Sequence, residues 1–542
     1  MSKKPVSPRR PKIISGAKDN SKLIFPKWLL AAILYGISWC MFFGLNLSFF
    51  AWFAFVPLFL ELEKRDTFWA FYSRALFFSV VAYVIICHGF LFTPRDQLLI
   101  LIATIDELVM ASISFALLYP FKKIFGFRKA LIIFPFLISL WEWTYQKFEH
   151  TFGYLMLSHS QCQNTWLIQY IDIFGVWSIA CWVMLFNVLI YFQYKRFENN
   201  FRSPVFRKNV AIIFIAMLIP PLCYYTFRYS QINKDPAEFI NVTLVNTNFS
   251  VFDNTLERAS KKIERLVFIT DSIDYELKQR GLKSDLYVWH EGAIDYGNQI
   301  IFTGFVDTAV NDWDTPLLTG MGIIPQNATK DDRRFVNRAV LITPGSTLKS
   351  DLQYYDKIRL SPGHEMIPYH KLLVKIPFFP VSLTNPNFLK SGSAVKLINL
   401  KIRNGKTVKI GTPICQEQNY PEIWNGMALK GAEFFVQLSF ESWWPIKYFQ
   451  EQMAGITRLR CIETRRSTAR CSNGGLTCFI NAFGEIYATS DKTDGTITAD
   501  IDLHTENTLF LQYQSLFPIL SIVVIFFFSV WELHNIFIKN KS

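Results

Sequence analysis

The chain is short of charge and lacks any metal-binding pattern. Of its 542 residues 18% are charged, against 51% hydrophobic. That balance is too apolar for an average soluble protein and too polar for a pure membrane bundle, so it implies membrane spans joined to a globular part. None of the nine cysteines stands in a CxxC or Cys/His metal spacing, so no metal site is expected. Disulfides among Cys461, Cys471 and Cys478 are left open, and most cysteines read as buried apolar filler. Residues 1–22 show no small-residue cleavage site behind an apolar run, and read as a basic cytoplasmic tail rather than a cleaved signal peptide. No pair of Gly/Pro-broken spans suggests the inverted repeat of a transporter. The net charge of +13 invites a nucleic-acid reading. No basic stripe lies on the polar part, so no nucleic-acid partner is expected.

What is present is apolar sequence in blocks, at about 24–42, 45–60, 73–92, 98–120, 130–145, 166–193, 209–227 and 509–536. Most approach the roughly 20 residues that cross hydrocarbon. Aromatics reach 16%, with 52 Phe, which fits lipid-facing helices and interfacial belts. With the N-terminus inside, the inside segments carry 22 Lys and Arg; the short outside loops carry Arg95 and Lys147. The positive-inside rule is satisfied, and the basic charge is mainly topological. Seven spans over 23–228 then place residues 229–508 outside, and a final span in 509–542 returns the chain. Asp106, Glu107 and Glu142 fall inside spans. They read as groups that face the bundle interior and hold helices together, the alternative being ion or substrate ligands of a transporter.

The polar domain alternates strand-like and helical runs. Strands are expected over Val242–Asn246, Leu286–Trp289, Pro316–Met321, Arg338–Ile342, Val408–Thr412 and Glu433–Leu438, with helices over about 254–280 and 447–466. That pattern means an α/β or layered α+β domain. Three residues in it carry chemistry: Glu291 in Tyr-Val-Trp-His-Glu, Lys357 in Tyr-Asp-Lys and Cys415 in Ile-Cys-Gln-Glu. Each ends an apolar run. A thiol attacks a carbonyl, a carboxylate takes its proton, and a cation stabilises the oxyanion. Alone, each residue has a bland reading: a buried Cys, a solvated turn Glu, an exposed Lys. Their order and local strings argue for the joint reading.

These strings resemble the nitrilase (carbon–nitrogen hydrolase) superfamily, and within it the apolipoprotein N-acyltransferase family, over almost the whole chain. Val288–Ala293 is similar to the family's Trp-Pro-Glu motif, and Tyr355–Pro368 to its Tyr-x-Lys stretch running on to Glu-x-x-Pro. Ile414–Glu417 is similar to its Cys-x-Glu box. Arg458, Arg460, Glu463, Arg466, Arg470, Asn473 and Gly475 are similar to its Arg-rich run. Two membrane stretches also match: Trp141-Glu142-Trp143 with Phe152-Gly153-Tyr154, and Gln169 to Asn187 with Asp172 and Gly175. Departures occur at His290, at 361–364 before Glu365, at Gln416, and at Ser439–Ser442.

The resemblance implies an αββα nitrilase-like sandwich on a bundle of about eight transmembrane helices. It implies a Glu-Lys-Cys triad with Glu291 as general base, Lys357 as oxyanion stabiliser and Cys415 as nucleophile. Glu365 and Glu417 would be accessory acids, Glu463 would hold the nearby arginines or the Lys, and Trp443 or Trp444 would line the lipid entrance. Phe378 and Phe379, between prolines in segment 371–388, are expected on an apolar arm that dips into the outer leaflet, the alternative being a buried loop that covers the sandwich. The implied acyl donor is a membrane phospholipid, and the acceptor is the α-amine of a diacylglyceryl-cysteine on an apolipoprotein. No cofactor is expected. The implied setting is the bacterial inner membrane, with a monomer whose catalytic domain is periplasmic. The alternatives are a membrane-anchored amidase acting on a small soluble amide, and a transporter or scaffold with a degenerate domain.

Overall fold

The computed structural model describes residues 25–541, less 40, 43–44, 89–96, 199, 233–237, 250–255, 295–298, 326–333, 348–351, 374, 376–388, 443–446 and 491–493. Five helices among the described residues are long and apolar enough to cross a membrane: Phe68–Cys87, Ile105–Phe125, Trp177–Arg196, Pro204–Ile232 and Leu516–Lys539. Lys27–Ser38 and Ser48–Leu62 are shorter apolar helices. Phe127–Tyr145 packs beside the second and third of the five.

The phenylalanines divide by face. Phe55, Phe78, Phe115 and Phe134 fill the bundle core, with ring centroids 5.3 Å apart for Phe55–Phe78 and 5.2 Å for Phe115–Phe134. Phe77, Phe526 and Phe527 point outward. Tilted ring contacts of this kind add to the burial itself.

The stretch expected to span over 166–193 is not one helix. Short turns at Thr165–Leu167 and Ile171–Phe174 come first, and the long helix Trp177–Arg196 starts after Gly175. Gly175 has φ +74°, and a Cβ there would lie 2.2 Å from the Phe510 ring. A left-handed turn packed against a ring requires glycine.

The polar domain is built from two six-stranded sheets. The first runs Gly495–Asp502, Phe239–Asn246, Leu286–Trp289, Leu317–Ile323, Val336–Ile342, Tyr354–Asp356, with Phe239–Asn246, Leu286–Trp289 and Leu317–Ile323 parallel. The second runs Ile486–Thr489, Cys478–Ile480, Thr468–Asn473, Phe434–Phe440, Thr407–Gly411, Ile398–Lys401. The expected strands are all present, extended or trimmed by up to three residues. Alternation decides the layers. Val242 and Leu244 face Ile410, Val436 and Ala469 of the second sheet in one shared core. Val245, Tyr287 and Trp289 face the other way, against helices Leu256–Gln279 and Gln299–Trp313.

Helix Lys447–Thr464 is covered on both sides. Ala454 and Cys461 pack on Cys478 and Ile480 of the second sheet, while Phe449, Ile456 and Leu459 enter the bundle core. It is one of the elements through which the sandwich sits on the membrane part. Cys461, Cys471 and Cys478 are separate buried thiols, so the disulfide option does not materialise.

Candidate functional site

Glu291 follows a strand buried at all four positions. The turn that presents it is held against the next strand, where Gly320 N–H donates to His290 O at 3.2 Å. A Cβ on Gly320 would lie 2.6 Å from Glu291 Cα and Gly292 N, so only a glycine admits this approach. His290 is fully buried. Its Nδ1 donates to Glu291 O at 2.8 Å, and its Nε2 faces the Thr247 hydroxyl at 2.9 Å. Burial, aided by Lys262, pushes the His290 imidazole down to about 3. It is therefore a neutral brace behind Glu291.

Lys357 leaves the edge strand Tyr354–Asp356, with its N–H on Asn337 O at 2.8 Å. Its Nζ, 1% exposed, lies 3.1 Å from Glu291 Oε1 and 3.0 Å from Glu365 Oε1. Burial alone would neutralise the ammonium. The charges of Glu291 and Glu365 outweigh it and hold Lys357 well above the usual lysine range. For Glu365 burial works upward, but Lys357 and the Ser361 N–H at 2.7 Å win, and the carboxyl lies below its ordinary value. Glu291 Oε1 also accepts from Asn337 Nδ2 at 2.7 Å, while its buried Oε2 has no hydrogen-bond partner among the described residues. One carboxylate oxygen is thus anchored and the other is free to take a proton.

Cys415 opens a short helical turn, Cys415–Asn419, at the end of strand Thr407–Gly411. It has φ +51°, a left-handed conformation that costs a non-glycine residue of order 1–3 kcal/mol. The turn is braced from below. Gln437 Nε2 reaches Cys415 O at 3.4 Å and Gln418 Oε1 at 2.7 Å, and Thr457 donates to Gln437 Oε1 at 2.6 Å. Burial and then the charge of Glu291 push the Cys415 thiol well above its ordinary range, against the pull of Lys357. Cys415 therefore rests as a neutral thiol.

The structure brings Glu291, Lys357, Glu365 and Cys415 into one electrostatic cluster. Glu417 stands apart from it. Its Oε1 accepts from Tyr355 OH at 2.7 Å and Ile358 N at 2.8 Å, and its Oε2 from Ile414 N at 2.8 Å. It pins the Lys357 strand to the Cys415 turn. Glu463 lies farther still, at the seam with the bundle. It accepts from Val176 N at 2.7 Å and pairs with Arg460 at 3.2 Å, and it has no contact with Lys357. Burial raises Glu463 to about 7. Trp443, Trp444, Phe378 and Phe379 lie outside the described residues.

Two site residues escaped the sequence reading. Asn337 bridges Glu291 and Glu365, yet in Phe-Val-Asn-Arg it looks like any polar strand residue. Glu441, within one of the departures, is buried against Arg470; its charge acts on Cys415, and the charge of Glu291 acts on it. Among the described residues no group of three His, Cys, Asp or Glu side chains is arranged to hold a metal.

The membrane motifs meet the catalytic-domain motifs at the seam. Asp172 accepts from Arg465 at 2.7 Å and Arg228 at 2.9 Å, and Gln169 donates to Phe483 O at 3.0 Å. Such mutual burial leaves little freedom between the two parts.

A family profile described as "Apolipoprotein N-acyltransferase N-terminal domain" matches residues 32–189, and one described as "Carbon-nitrogen hydrolase" matches residues 297–508. Lys357 and Cys415 lie inside the second match. The chain is 28% identical to the apolipoprotein N-acyltransferase of Chlorobaculum tepidum, over 90% of this chain and 93% of that one. It is 24% identical to apolipoprotein N-acyltransferase 1 of Treponema denticola, over 95% and 97%. It is also 24% identical to the Geobacter metallireducens apolipoprotein N-acyltransferase, over 84% and 86%. Bundle, sandwich and both sets of motifs agree with these likenesses from end to end, and the chain belongs to the apolipoprotein N-acyltransferase family of the nitrilase superfamily.

Proposed function

We propose that this protein moves an acyl chain from a membrane phospholipid, through a thioester on Cys415, to the α-amine of the N-terminal diacylglyceryl-cysteine of an apolipoprotein. The observation that carries the reading is the Glu291 carboxylate. One of its oxygens is tied to Lys357 and Asn337, and the other has no partner among the described residues and lies in the same cluster as Cys415.

In the first half-reaction Glu291 Oε2 takes the Cys415 proton as sulfur attacks the ester carbonyl. The raised thiol makes this proton transfer part of the attack, not a prior equilibrium. Lys357 and nearby backbone N–H groups stabilise the oxyanion. Collapse breaks the C–O bond, and the leaving lysophospholipid oxygen takes the proton back from Glu291. In the second half-reaction Glu291 accepts a proton from the attacking amine. The amide bond forms, the C–S bond breaks, and the sulfur is reprotonated. Ester to thioester to amide ends at the most stable bond. Keeping water from the thioester separates a transferase from a phospholipase, and a lipid-fed site serves that end.

The same reading takes eight spans, with the shorter apolar helices included, in the bacterial inner membrane. It takes the catalytic domain as residues 229–508 on the periplasmic side, and a monomer as the working unit. Trp443, Trp444 and the arm at Phe378–Phe379 would guide the acyl chain. The test is intact mass spectrometry of the protein incubated with phospholipid, beside Cys415→Ser. A hydroxylamine-labile acyl adduct on the wild type alone is expected. No adduct on a thiol that still alkylates would overturn the reading in favour of a small-amide hydrolase.

A further inference from the structure

We infer that Glu107, a carboxylate inside the membrane bundle, is a positioning residue for the Cys415 thiol, an inference that rests on the acyl-transfer reading of the site. Glu107 is 4% exposed on helix Gln97–Phe125. Its oxygens are committed to the end of the next helix and to the segment that leaves it. Oε1 accepts the Phe152 N–H at 2.7 Å, and Oε2 accepts the Tyr145 hydroxyl.

That segment grips the far end of the nucleophile turn. Asn419 Nδ2 donates to Phe152 O at 2.9 Å, Tyr420 OH donates to Thr151 O at 2.6 Å, and Gln146 Nε2 donates to Asn419 O at 2.7 Å. Gly153 lies against the Tyr420 ring at φ +62°, a backbone conformation that favours glycine. Asn419 closes the Cys415–Asn419 turn, and Cys415 opens it.

The physical reason for such a device is the strain at Cys415. A left-handed non-glycine residue persists only where its surroundings over-determine it. The Gln437 contact to Cys415 O is long, at 3.4 Å, so the turn is held by shorter bonds farther along it, those at Asn419 and Tyr420 sharing the work with those at Glu417 and Gln418. Burying a carboxylate in an apolar bundle is costly unless its oxygens are satisfied. Here one is satisfied by Phe152, in the segment that carries these bonds, and the other by Tyr145 at the end of the helix before it. Loss of Glu107 would free Phe152 and, through Asn419, let the thiol drift. A misplacement of about 1 Å costs about 100-fold in a positioned reaction.

The test is the single-turnover rate of Cys415 acylation by phosphatidylethanolamine vesicles, for Glu107→Ala, Glu107→Gln, Asn419→Ala and the double Glu107→Ala/Asn419→Ala. The alanine variants are expected to fall at least about 10-fold in rate, with the phospholipid KM within about 2-fold. Glu107→Gln keeps an acceptor for Phe152 N–H and should stay within about 3-fold of wild type. The double variant should be no slower than the slower single, because both cuts fall on one chain of contacts. Multiplying effects, or a wild-type rate for Asn419→Ala, would overturn the inference. Should Glu107→Ala not fold, Tyr420→Phe and Asn419→Ala supply the comparison, and wild-type rates for both would equally overturn it. The same variants are read by iodoacetamide alkylation of Cys415, which needs no lipid. A wild type that alkylates but never acylates refutes the acyl-transfer reading instead.

Discussion

Replacing Lys357 by methionine separates the stabilising role of one ammonium from the catalytic role proposed for it. Lys357 sits 3.1 Å from Glu291 and 2.9 Å from Glu365, at 1% exposure. At an effective dielectric of about 20, unit charges about 3 Å apart attract by about 5 kcal/mol. Much of that offsets the burial of three charges, and removing one partner of such a cluster costs about 3–5 kcal/mol. Lys357→Met should therefore lower thermal stability strongly at pH 7.5. The loss should shrink on acidification. In the wild type Glu365 is held below its ordinary value, so its contribution is full above the carboxylate range and is lost as pH falls through the folded value. Without Lys357 two carboxylates face each other across Asn337, their protonation becomes easier than in the unfolded chain, and stability falls as pH rises. Adding Glu365→Gln should recover most of the stability by removing one of the two like charges. It should not recover acylation, which should stay down about 100- to 1,000-fold for want of an oxyanion donor. Thermal unfolding at pH 5 and 7.5, with single-turnover acylation of both variants, reads all three effects. Acylation within about 3-fold of wild type in the stabilised double variant would refute the oxyanion role of Lys357.

Because the thiol is pushed up by burial and then by Glu291, alkylation of Cys415 by a soluble reagent should climb about tenfold per pH unit from 7 to 9 without levelling; a plateau near neutrality would show a preformed thiolate instead. Gly320→Ala puts a methyl 2.6 Å from backbone atoms of Glu291 and Gly292. It should cost about 1–3 kcal/mol and slow acylation while leaving KM for phospholipid unchanged. Urea unfolding and initial rates check it, and a neutral outcome would mean that the Glu291 turn is adaptable.

The layered sandwich was legible because its strands are short, strongly apolar and spaced by helical stretches. Leu286–Trp289 has nothing else it can be. Glu291, Lys357 and Cys415 were legible because each stands in a string that chemistry constrains. Asn337 was not, because a polar residue near the start of a strand is compatible with solvent, and only the pairing of Val336–Ile342 with Tyr354–Asp356 turns it toward the two carboxylates. The apolar run over 166–193 misled for a related reason. Hydropathy reports what a segment can dissolve in, not whether Gly175 bends it around Phe510.

By itself, then, the sequence determined the membrane blocks, the alternating domain and the order of carboxylate, ammonium and thiol. These depend on composition and local periodicity, which the chain carries at each point. The tertiary structure alone decided which oxygen of Glu291 has no partner among the described residues, that Glu417 and Glu463 brace rather than touch the cluster, and that Glu107 reaches the Cys415–Asn419 turn through Phe152 and Asn419. Those facts rest on contacts between residues tens to hundreds of positions apart, and no local pattern encodes which buried polar group a distant one will meet.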